Sequence, residues 1–317
     1  MNTFHRLLCP VDYSEPSRRA LLHAIAIARR HHSQITVMHV EGALEAVARA
    51  EGGLYDQFLP EDALRDFVST ATDYDRQRIQ LVSTTGRVVE AIIEQADRGS
   101  SDLIVMGTHG RSGAARVLLG SVTERVVRDA HCPVMAVPPA AAIPASGDRN
   151  QLEAILCPSD FSRSCSKALK LALSIAHDTN ARLVLLHALQ WPAFAEGPMP
   201  LPVVTQINVD AADWRREALA TLERGLPADA RARIGYKALV KPGHPSETIL
   251  QVAQDEHVGL IVMGTQSRSA IDRLLFGSTT REAIQAGRCP VISVRAEKND
   301  PAWIVSADNV RDRVGAR

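Results

Sequence analysis

Long hydrophobic runs, net charge and paired cysteines are all missing from this sequence of 317 residues. No apolar stretch approaches the roughly 18 residues of a membrane-spanning helix, and "MNTFHRLLCPVDYSEPS" reaches proline and aspartate before a secretory leader could form. Lys+Arg and Asp+Glu both number 36, which argues against an electrostatic grip on nucleic acid or on an anionic membrane. Five cysteines without a CxxC pair are an odd number for a disulfide framework, so we expect reduced thiols in a cytoplasmic protein.

The sequence contains an internal repeat, in which one domain-sized unit occurs twice. "LLCPVDYSEPSRRAL" from Leu7 returns as "ILCPSDFSRSCSKAL" from Ile155, and "LIVMGTHGRSGAARVLLGS" from Leu103 returns as "LIVMGTQSRSAIDRLLFGS" from Leu260, with 12 of 19 positions identical. The offset between the copies rises from 148 to 157 residues, which places an insertion in the middle of the second copy. We therefore predict two tandem domains, 1–138 and 153–297, joined by a linker, 139–152, and followed by a tail, 298–317.

Short apolar runs alternate with helical stretches in each copy. In the first copy, apolar residues recur at helical spacing between the runs "RLLCPV" and "ITVMHV"; they are Ala20, Leu21, Ala24, Ile25 and Ala28. Strands that alternate with helices, and that are apolar throughout, indicate βαβ units and a parallel sheet covered on both faces. The predicted fold class is α/β, with two tandem Rossmann-like domains, each a doubly wound sheet that binds ligands at the carboxyl ends of its strands.

Three predicted strands of the first domain end at the same edge of the sheet. They present Asp12, Val40 and Gly107 there, and "GTHGRSGAARVLLGS" begins at the last of these. Glycine lets a ligand approach the backbone and permits a positive φ. Gly120 and Ser121 then open a helix, whose first amides favour phosphate. Asp12 is placed to accept hydrogen bonds from ribose hydroxyls.

Each of these residues also has a structural interpretation. Ser121 and Glu124 fit an S-x-x-E capping box, which would keep the Ser121 hydroxyl on its own helix. Asp12 is an equally good cap for the helix that follows it. His39 and His187 recur in place at strand ends, where we interpret a histidine as structural and expect no metal site.

Several familiar signatures are absent. No G-x-x-x-x-G-K-[ST] P-loop occurs, and no G-x-G-x-x-G follows the first strand, which disfavours a P-loop NTPase and a dinucleotide Rossmann site. No G-x-S-x-G elbow and no zinc-spaced Cys/His cluster is present. A phosphate site in this protein would therefore hold its ligand without the P-loop lysine.

The same residues carry a resemblance to a known family. Gly107-x2-Gly110-x9-Gly120-Ser121, flanked by "DLIVMG" and "CPVMAV" and preceded by "CPVDYSEPS", resembles the nucleotide signature of the universal stress protein (UspA-like) family. The likeness extends over nearly the whole chain as two tandem copies. It implies a five-stranded parallel sheet in each domain, in the order 3-2-1-4-5. It also implies an ATP site, with AMP or ADP as alternatives and Mg²⁺ as an accompanying ion.

Carried over residue by residue, the resemblance assigns a nucleotide site to each domain. Asp12 would hold the ribose, the backbone of Val40 would meet adenine, and the glycines and the helix start would line the phosphates. The residues expected in the first site are Pro10, Val11, Asp12, Val40, Met106, Gly107, His109, Gly110, Gly120, Ser121, Val122 and Thr123. Those expected in the second site are Ser159, Asp160, Ala188, Met263, Gly264, Ser267, Gly277, Ser278, Thr279 and Thr280.

The second domain departs from the signature at two positions. Ser267 replaces the second glycine, and Arg281 replaces Glu124, which removes the capping box. If the glycine position needs a positive φ, Ser267 costs about 1 kcal/mol there, and its side chain would crowd the phosphates. Arg281 would instead add a positive charge near them. The expected site is thus intact in the first domain and partly degenerate in the second.

The resemblance implies a stress-response regulator that binds an adenine nucleotide and is not primarily a catalyst. Nothing in the motif supplies a general base, or a metal carboxylate beyond Asp12. Slow ATP hydrolysis or autophosphorylation stays open as an alternative, and so does a nucleotide-independent interaction scaffold.

Association with partners is also implied by the resemblance. The last strands, Val134 to Val137 and Val291 to Val294, would leave unpaired edges, and they are expected to meet in an intrachain pseudo-dimer. We further expect a homodimer and an unidentified protein partner, with no nucleic acid and no membrane insertion. The segment Glu41 to Tyr74 is expected to cover the site entrance, and the tail to dock through its apolar residues.

Overall fold

A computed structural model describes residues 3–42, 60–69, 76–110, 119–144, 152–190, 201–265 and 277–296. The chain divides into two compact units, Met1–Asn150 with Ile284–Ser293, and Gln151–Ala283 with Val294–Arg317. The predicted tail and half of the predicted linker lie outside the described residues, as does most of the segment expected to cover the site. The predicted domain bounds therefore stay a prediction.

The first unit is a parallel sheet with helices between its strands. Its elements are β1 (Arg6–Val11), α1 (Glu15–His31), β2 (Gln34–Glu41), α2 (Pro60–Ser69), a 3-10 turn (Arg76–Arg78), β3 (Ile79–Thr85), α3 (Val88–Arg98), β4 (Leu103–Gly107), α4 (Ser121–Asp129) and β5 (Val134–Val137). The strands lie in the order β3-β2-β1-β4-β5, and each of these neighbours pairs in parallel. The predicted α/β fold is confirmed, and the order is the one that the resemblance implied.

The second repeat of the sequence follows the same plan. Its elements are β6 (Ala154–Pro158), α5 (Arg163–Thr179), β7 (Arg182–Leu189), α6 (Leu201–Arg224), α7 (Ala228–Arg233), β8 (Tyr236–Pro242), α8 (Pro245–Asp255), β9 (Leu260–Thr265) and α9 (Ser278–Ala286). Its strands lie in the order β8-β7-β6-β9, again in parallel. The stretch between β7 and β8 is longer than the stretch between β2 and β3, and this is where the change of repeat offset placed the insertion.

The fifth strand of the second repeat is β10 (Val291–Arg295), and its residues Val291–Ser293 belong to the first compact unit. Val291 and Ser293 of β10 lie opposite Ala136 and Val134 of β5 in an antiparallel pair. The Ser293 hydroxyl also donates to the carbonyl oxygen of Val134 at 3.1 Å. This pairing covers the edge that β5 would otherwise present. The wider pseudo-dimer and a homodimer stay predictions.

Helix α1 shows how the local sequence sets the elements around the sheet edge. Ser14 is its N-cap, and the Ser14 side chain accepts from the amide of Ser17 at 3.3 Å. The helix ends where His32 takes a left-handed conformation with φ 54°. The apolar residues predicted for its inner face are buried; they are Ala20, Leu21, Ala24, Ile25 and Ala28. Within the described ranges, no helix combines the length and the apolarity needed to cross a membrane.

The five cysteines are free thiols. Cys9, Cys157, Cys165 and Cys289 are buried, and burial raises the pKa of the Cys165 and Cys289 thiols to about 12. A thiol with so high a pKa stays protonated near neutral pH and is a poor nucleophile. These cysteines therefore behave as core residues, in line with the reduced thiols expected from their odd number.

Candidate functional site

The strand ends that the sequence predicted to meet do lie at one edge of the first sheet. β1 lies between β2 and β4, and its last residue, Val11, is opposite His39 of β2. Asp12 therefore follows directly at the edge, and Gly107 ends β4 beside it. Val40 lies one residue beyond the last register pair with β1 and remains paired with Thr84 of β3.

Asp12 is held in the turn between β1 and α1, but it is not the helix cap. The cap is Ser14, and the amide of Ser14 donates to Asp12 Oδ1 at 3.1 Å. The Ser14 hydroxyl donates to the same oxygen, and the amide of Asp12 lies 3.4 Å from Ser17 Oγ. The interpretation of Asp12 as an N-cap is thus wrong. Its carboxylate accepts from Ser14, the residue that caps the helix, and so fixes the turn before the helix.

Both glycines at the exit of β4 lie close to the residues that follow β1. A methyl group on Gly110 would lie 2.7 Å from Asp12 Oδ2, and one on Gly107 would lie 2.9 Å from the backbone carbon and oxygen of Pro16. Neither glycine has a positive φ, so the strained conformation considered for the second glycine is not what excludes a side chain there. Gly110 instead brings the loop against the Asp12 carboxylate, and Gly107 lets α1 pack on β4.

Helix α4 begins without a side-chain cap. Its N-cap is Gly120, which has no side chain, and the amide of Glu124 donates to the Gly120 carbonyl at 2.9 Å. Ser121 is therefore the first helical residue, and it is exposed. The predicted capping box is wrong, because a capping box needs the serine at the N-cap. The first amides of α4 consequently keep their donors directed away from the helix.

Two hydrogen bonds hold the start of α4 at the exit of β4. The amide of Gly120 donates to the carbonyl of Thr108 at 2.8 Å, and the hydroxyl of Thr123 donates to the carbonyl of Gly107 at 2.8 Å. A methyl group on Gly120 would lie 3.0 Å from the Thr108 oxygen. Residues 111–118 of the loop between these two elements lie outside the described residues. The two hydrogen bonds place the start of α4 next to the end of β4, and a helix start favours a phosphate.

His109 follows the end of β4, and only one of its two ring nitrogens has a hydrogen-bond partner among the described residues. Its Nδ1 lies 2.9 Å from the hydroxyl oxygen of Thr108. Its Nε2 is buried and has no hydrogen-bond partner among the described residues. A buried polar atom without a partner is destabilising, so the site fits a ligand that supplies one.

The recurring histidines contact partners that the sequence did not reveal. His39 Nδ1 lies 2.8 Å from the carbonyl oxygen of Val11, and its ring lies against that of Tyr13, tilted, with centroids 4.4 Å apart. His187 stacks on Phe161 at 4.5 Å in the second unit, and burial lowers the pKa of His187. Both aromatic residues follow the site aspartate. The signal that could have found them is the repeated D-[YF]-S with a histidine at equal spacing.

The second unit places its aspartate in a similar turn. Asp160 Oδ1 accepts from the amide of Ser162 at 3.0 Å and from the Cys165 thiol at 3.1 Å. A methyl group on Gly264 would lie 2.4 Å from the backbone carbon of Ser164, so this glycine also permits helix packing. The turn and the strand exit of the second site are therefore both formed.

The helix start of the second site is more open. The amide of Arg281 donates to the carbonyl of Gly277 at 3.1 Å, which parallels Gly120 in the first unit. A methyl group on Gly277 would lie 4.0 Å from Thr280 Oγ1, so the described neighbours leave room for a side chain at this position. Ser267 lies outside the described residues.

The remaining predicted site residues lie on the elements that were expected to carry them. Strands hold Pro10, Met106, Ala188 and Met263. The first turns of α4 and α9 hold Val122, Ser278 and Thr279. Among the described residues, no group of three or more His, Cys, Asp or Glu side chains is arranged to hold a metal ion.

Comparison with known proteins gives consistent matches over both repeats. The model of the universal stress protein family matches residues 3–138 and 152–295. A universal stress protein of Methanocaldococcus jannaschii is 36% identical over 142 residues, which cover 43% of this chain and 83% of that protein. One of Mycobacterium bovis is 26% identical over 305 residues, which cover 92% of this chain and 97% of that protein.

A solved structure supports the same fold. A universal stress protein from Archaeoglobus fulgidus aligns with 94% of this chain and 100% of its own, at 21% sequence identity and a TM-score of 0.60. The two family matches together cover most of the chain and coincide with its internal repeat. The chain therefore belongs to the universal stress protein family, as a member with two copies of the family's domain in tandem.

Proposed function

We propose that the first unit binds an adenine nucleotide and that the protein acts as a stress-response regulator rather than as a catalyst. ATP is the proposed ligand, with AMP and ADP as alternatives. The observation that carries the proposal is the start of α4 at Gly120, because a glycine at the N-cap provides no side-chain acceptor for the first amides of the helix. These amides open at the exit of β4, where α/β sheets bind their ligands.

The phosphates would lie against the amides of Ser121, Val122 and Thr123. A helix start offers unpaired N–H groups and the positive end of the helix dipole, and both favour a phosphate anion. The exposed Ser121 hydroxyl is a further donor at the same place. The Thr123 hydroxyl already donates to Gly107, so Thr123 would contribute its backbone amide.

The ribose would lie near Asp12, and adenine near the end of β2. Asp12 Oδ1 is engaged by Ser14, while Oδ2 faces Gly110. A carboxylate held in this way accepts hydrogen bonds from hydroxyl groups, and such charge-assisted bonds are stronger than neutral ones. Val40 lies past the end of β1, which supports an adenine contact through its backbone.

The groups at the proposed site support binding rather than turnover. A Mg²⁺ ion that accompanies ATP would be held mainly by the phosphates, with Asp12 as the carboxylate that the sequence offers. A second candidate function is slow autophosphorylation, which is favoured by the exposure of Ser121 at the first helical position. A Ser121→Ala variant that hydrolyses ATP as fast as the wild type would exclude Ser121 as the reacting group.

The second unit is proposed to bind nucleotide more weakly, or to serve as a scaffold without nucleotide. Its aspartate turn and strand exit match those of the first unit. Its loop carries Ser267 in place of glycine, and Arg281 takes the place of Glu124. These differences support unequal sites within one chain.

Equilibrium dialysis of the full chain against ATP tests the proposal. We expect saturable uptake that the Gly110→Ala change weakens, because the added methyl group displaces the Asp12 carboxylate. Gly235→Ala is the matched control, since no atom of the described residues lies within 4 Å of a methyl group at Gly235. An absence of uptake at millimolar ATP would contradict the proposal and favour the scaffold.

A further inference from the structure

We infer that Tyr13 and His39 are positioning residues for the Asp12 carboxylate: they hold the turn that aims it at the ribose of the nucleotide. This inference rests on the proposed function. It concerns two side chains outside the glycine motif that act on the ligand through Asp12 and not by touching it.

The peptide bond before Asp12 is held on both of its polar sides. Its carbonyl, which belongs to Val11, lies 2.8 Å from His39 Nδ1, and its amide lies 3.4 Å from Ser17 Oγ. The first contact requires a proton on His39 Nδ1, because a carbonyl oxygen only accepts. His39 is 6% exposed, so this hydrogen bond is shielded from water. The direction in which the chain leaves β1 is therefore set by His39.

Tyr13 holds the peptide on the other side of Asp12. Its φ is 64°, a left-handed conformation that is unfavourable for a bulky residue and persists only where the surroundings enforce it. The ring contact with His39, at a centroid distance of 4.4 Å and an interplanar angle of 37°, is one such constraint. An edge contact with Phe67 of α2, at 5.6 Å, is another. The turn is thus fixed by aromatic packing.

The second unit keeps this arrangement with different residues. Phe161 has a φ of 62°, and its ring stacks on His187 at 4.5 Å. His187 Nδ1 lies 2.8 Å from the carbonyl oxygen of Ser159, which takes the place of Val11. Because Phe161 has no phenol hydroxyl, the left-handed conformation and the ring contact form without one. The shared features are the left-handed aromatic residue, its ring contact with a histidine and the bond from histidine to the carbonyl before the aspartate.

These constraints leave the Asp12 carboxylate little freedom. Oδ1 is fixed by Ser14, and Oδ2 faces Gly110, where an added methyl group would displace it. Loss of the Tyr13 ring would free the turn and let the carboxylate rotate. The contact with the ribose hydroxyls would then weaken, while the phosphate contacts at α4 would remain.

The test compares ATP with 2′,3′-dideoxy-ATP, which lacks the ribose hydroxyls. Affinities are measured by calorimetry on the full chain carrying Asp160→Asn, so that the discrimination reports on the first unit. We expect this reference protein to bind ATP at least about tenfold more tightly than the dideoxy analogue, since hydrogen bonds to a carboxylate are charge-assisted. Tyr13→Asn removes the ring but accepts a left-handed φ, and the affinity ratio should fall towards one.

Three further variants make the result specific. Tyr13→Phe, which matches Phe161, should restore the ratio, and Tyr13→Gly replaces Tyr13→Asn if the latter does not fold. Asp12→Asn should abolish the ratio directly. A general loss of structure would weaken the binding of both ligands equally and leave their affinity ratio unchanged. An unchanged ratio in Tyr13→Asn would overturn the inference.

The proposed function and the inference fail in different ways. No binding of either ligand by the reference protein would overturn both. Equal affinities in the reference protein would overturn the contact between Asp12 and the ribose, and with it the inference. Full discrimination in the reference protein and in Tyr13→Asn would overturn the positioning role alone.

Discussion

Replacing Gly107 or Gly264 by alanine would add a methyl group where a helix backbone already lies. At Gly107 the new carbon would be 2.9 Å from the backbone carbon and oxygen of Pro16, and at Gly264 it would be 2.4 Å from the backbone carbon of Ser164. Backbone atoms cannot rotate away as side chains do, so the helix must shift. Overpacking of this kind lowers the free energy of unfolding by about 1–3 kcal/mol. We expect Gly107→Ala to lie within this range and Gly264→Ala at its upper end.

Urea denaturation of the full chain, followed by far-UV circular dichroism, measures these losses. Gly42→Ala and Gly235→Ala are matched controls, because a methyl group at either position would meet no atom of the described residues within 4 Å. The controls should unfold at or slightly above the wild-type midpoint, because alanine reduces the entropy of the unfolded chain. If Gly107→Ala were as stable as Gly42→Ala, helix packing would not explain the first glycine of the motif.

Three further predictions concern Gly110, His23 and Thr123. Gly110→Ala should weaken ATP binding about tenfold or more with less effect on stability, because the added carbon would meet the flexible Asp12 side chain and not backbone; an unchanged dialysis curve would contradict this. Burial lowers the pKa of His23 to about 4. The unfolded chain therefore binds the proton first, and the free energy of unfolding should fall by up to about 3 kcal/mol as the pH drops from 6.5 to 4. His23→Leu should flatten that part of the urea-stability profile, and a slope that persists in the variant would assign it to other groups. Thr123→Val removes the donor to a strand carbonyl and should lower the free energy of unfolding by about 1–3 kcal/mol. Thr123→Ser should recover most of that loss in the same urea assay; no loss in the valine variant would refute the role of the hydroxyl.

The periodic parts of the fold could be predicted from the sequence because their signals are local. The first strand runs from Arg6 to Val11 as its apolar run indicated, and the inner face of α1 contains the residues that recur at helical spacing. The insertion in the second repeat followed from the change of offset alone. These features depend on hydrophobic pattern and chain length, which one sequence displays directly.

The contacts that shape the site could not be predicted in the same way, because they are non-local. Gly107 is a glycine on account of Pro16, far away in the sequence, and Gly110 on account of Asp12. The start of α4 shows a related limit. Ser121 fits a capping motif, but the bond from the Gly120 amide to Thr108 fixes the chain direction, so that the helix begins after the glycine.

The proposed nucleotide binding depends on backbone amides at the start of α4 that hold a polyphosphate without a P-loop lysine. A crystal structure of the full chain grown in excess ATP tests this most directly. We predict density for the phosphates within hydrogen-bond distance of the amides of Ser121 to Thr123, with the ribose beside Asp12. Water alone at that helix start, or a nucleotide bound elsewhere on the chain, would contradict it.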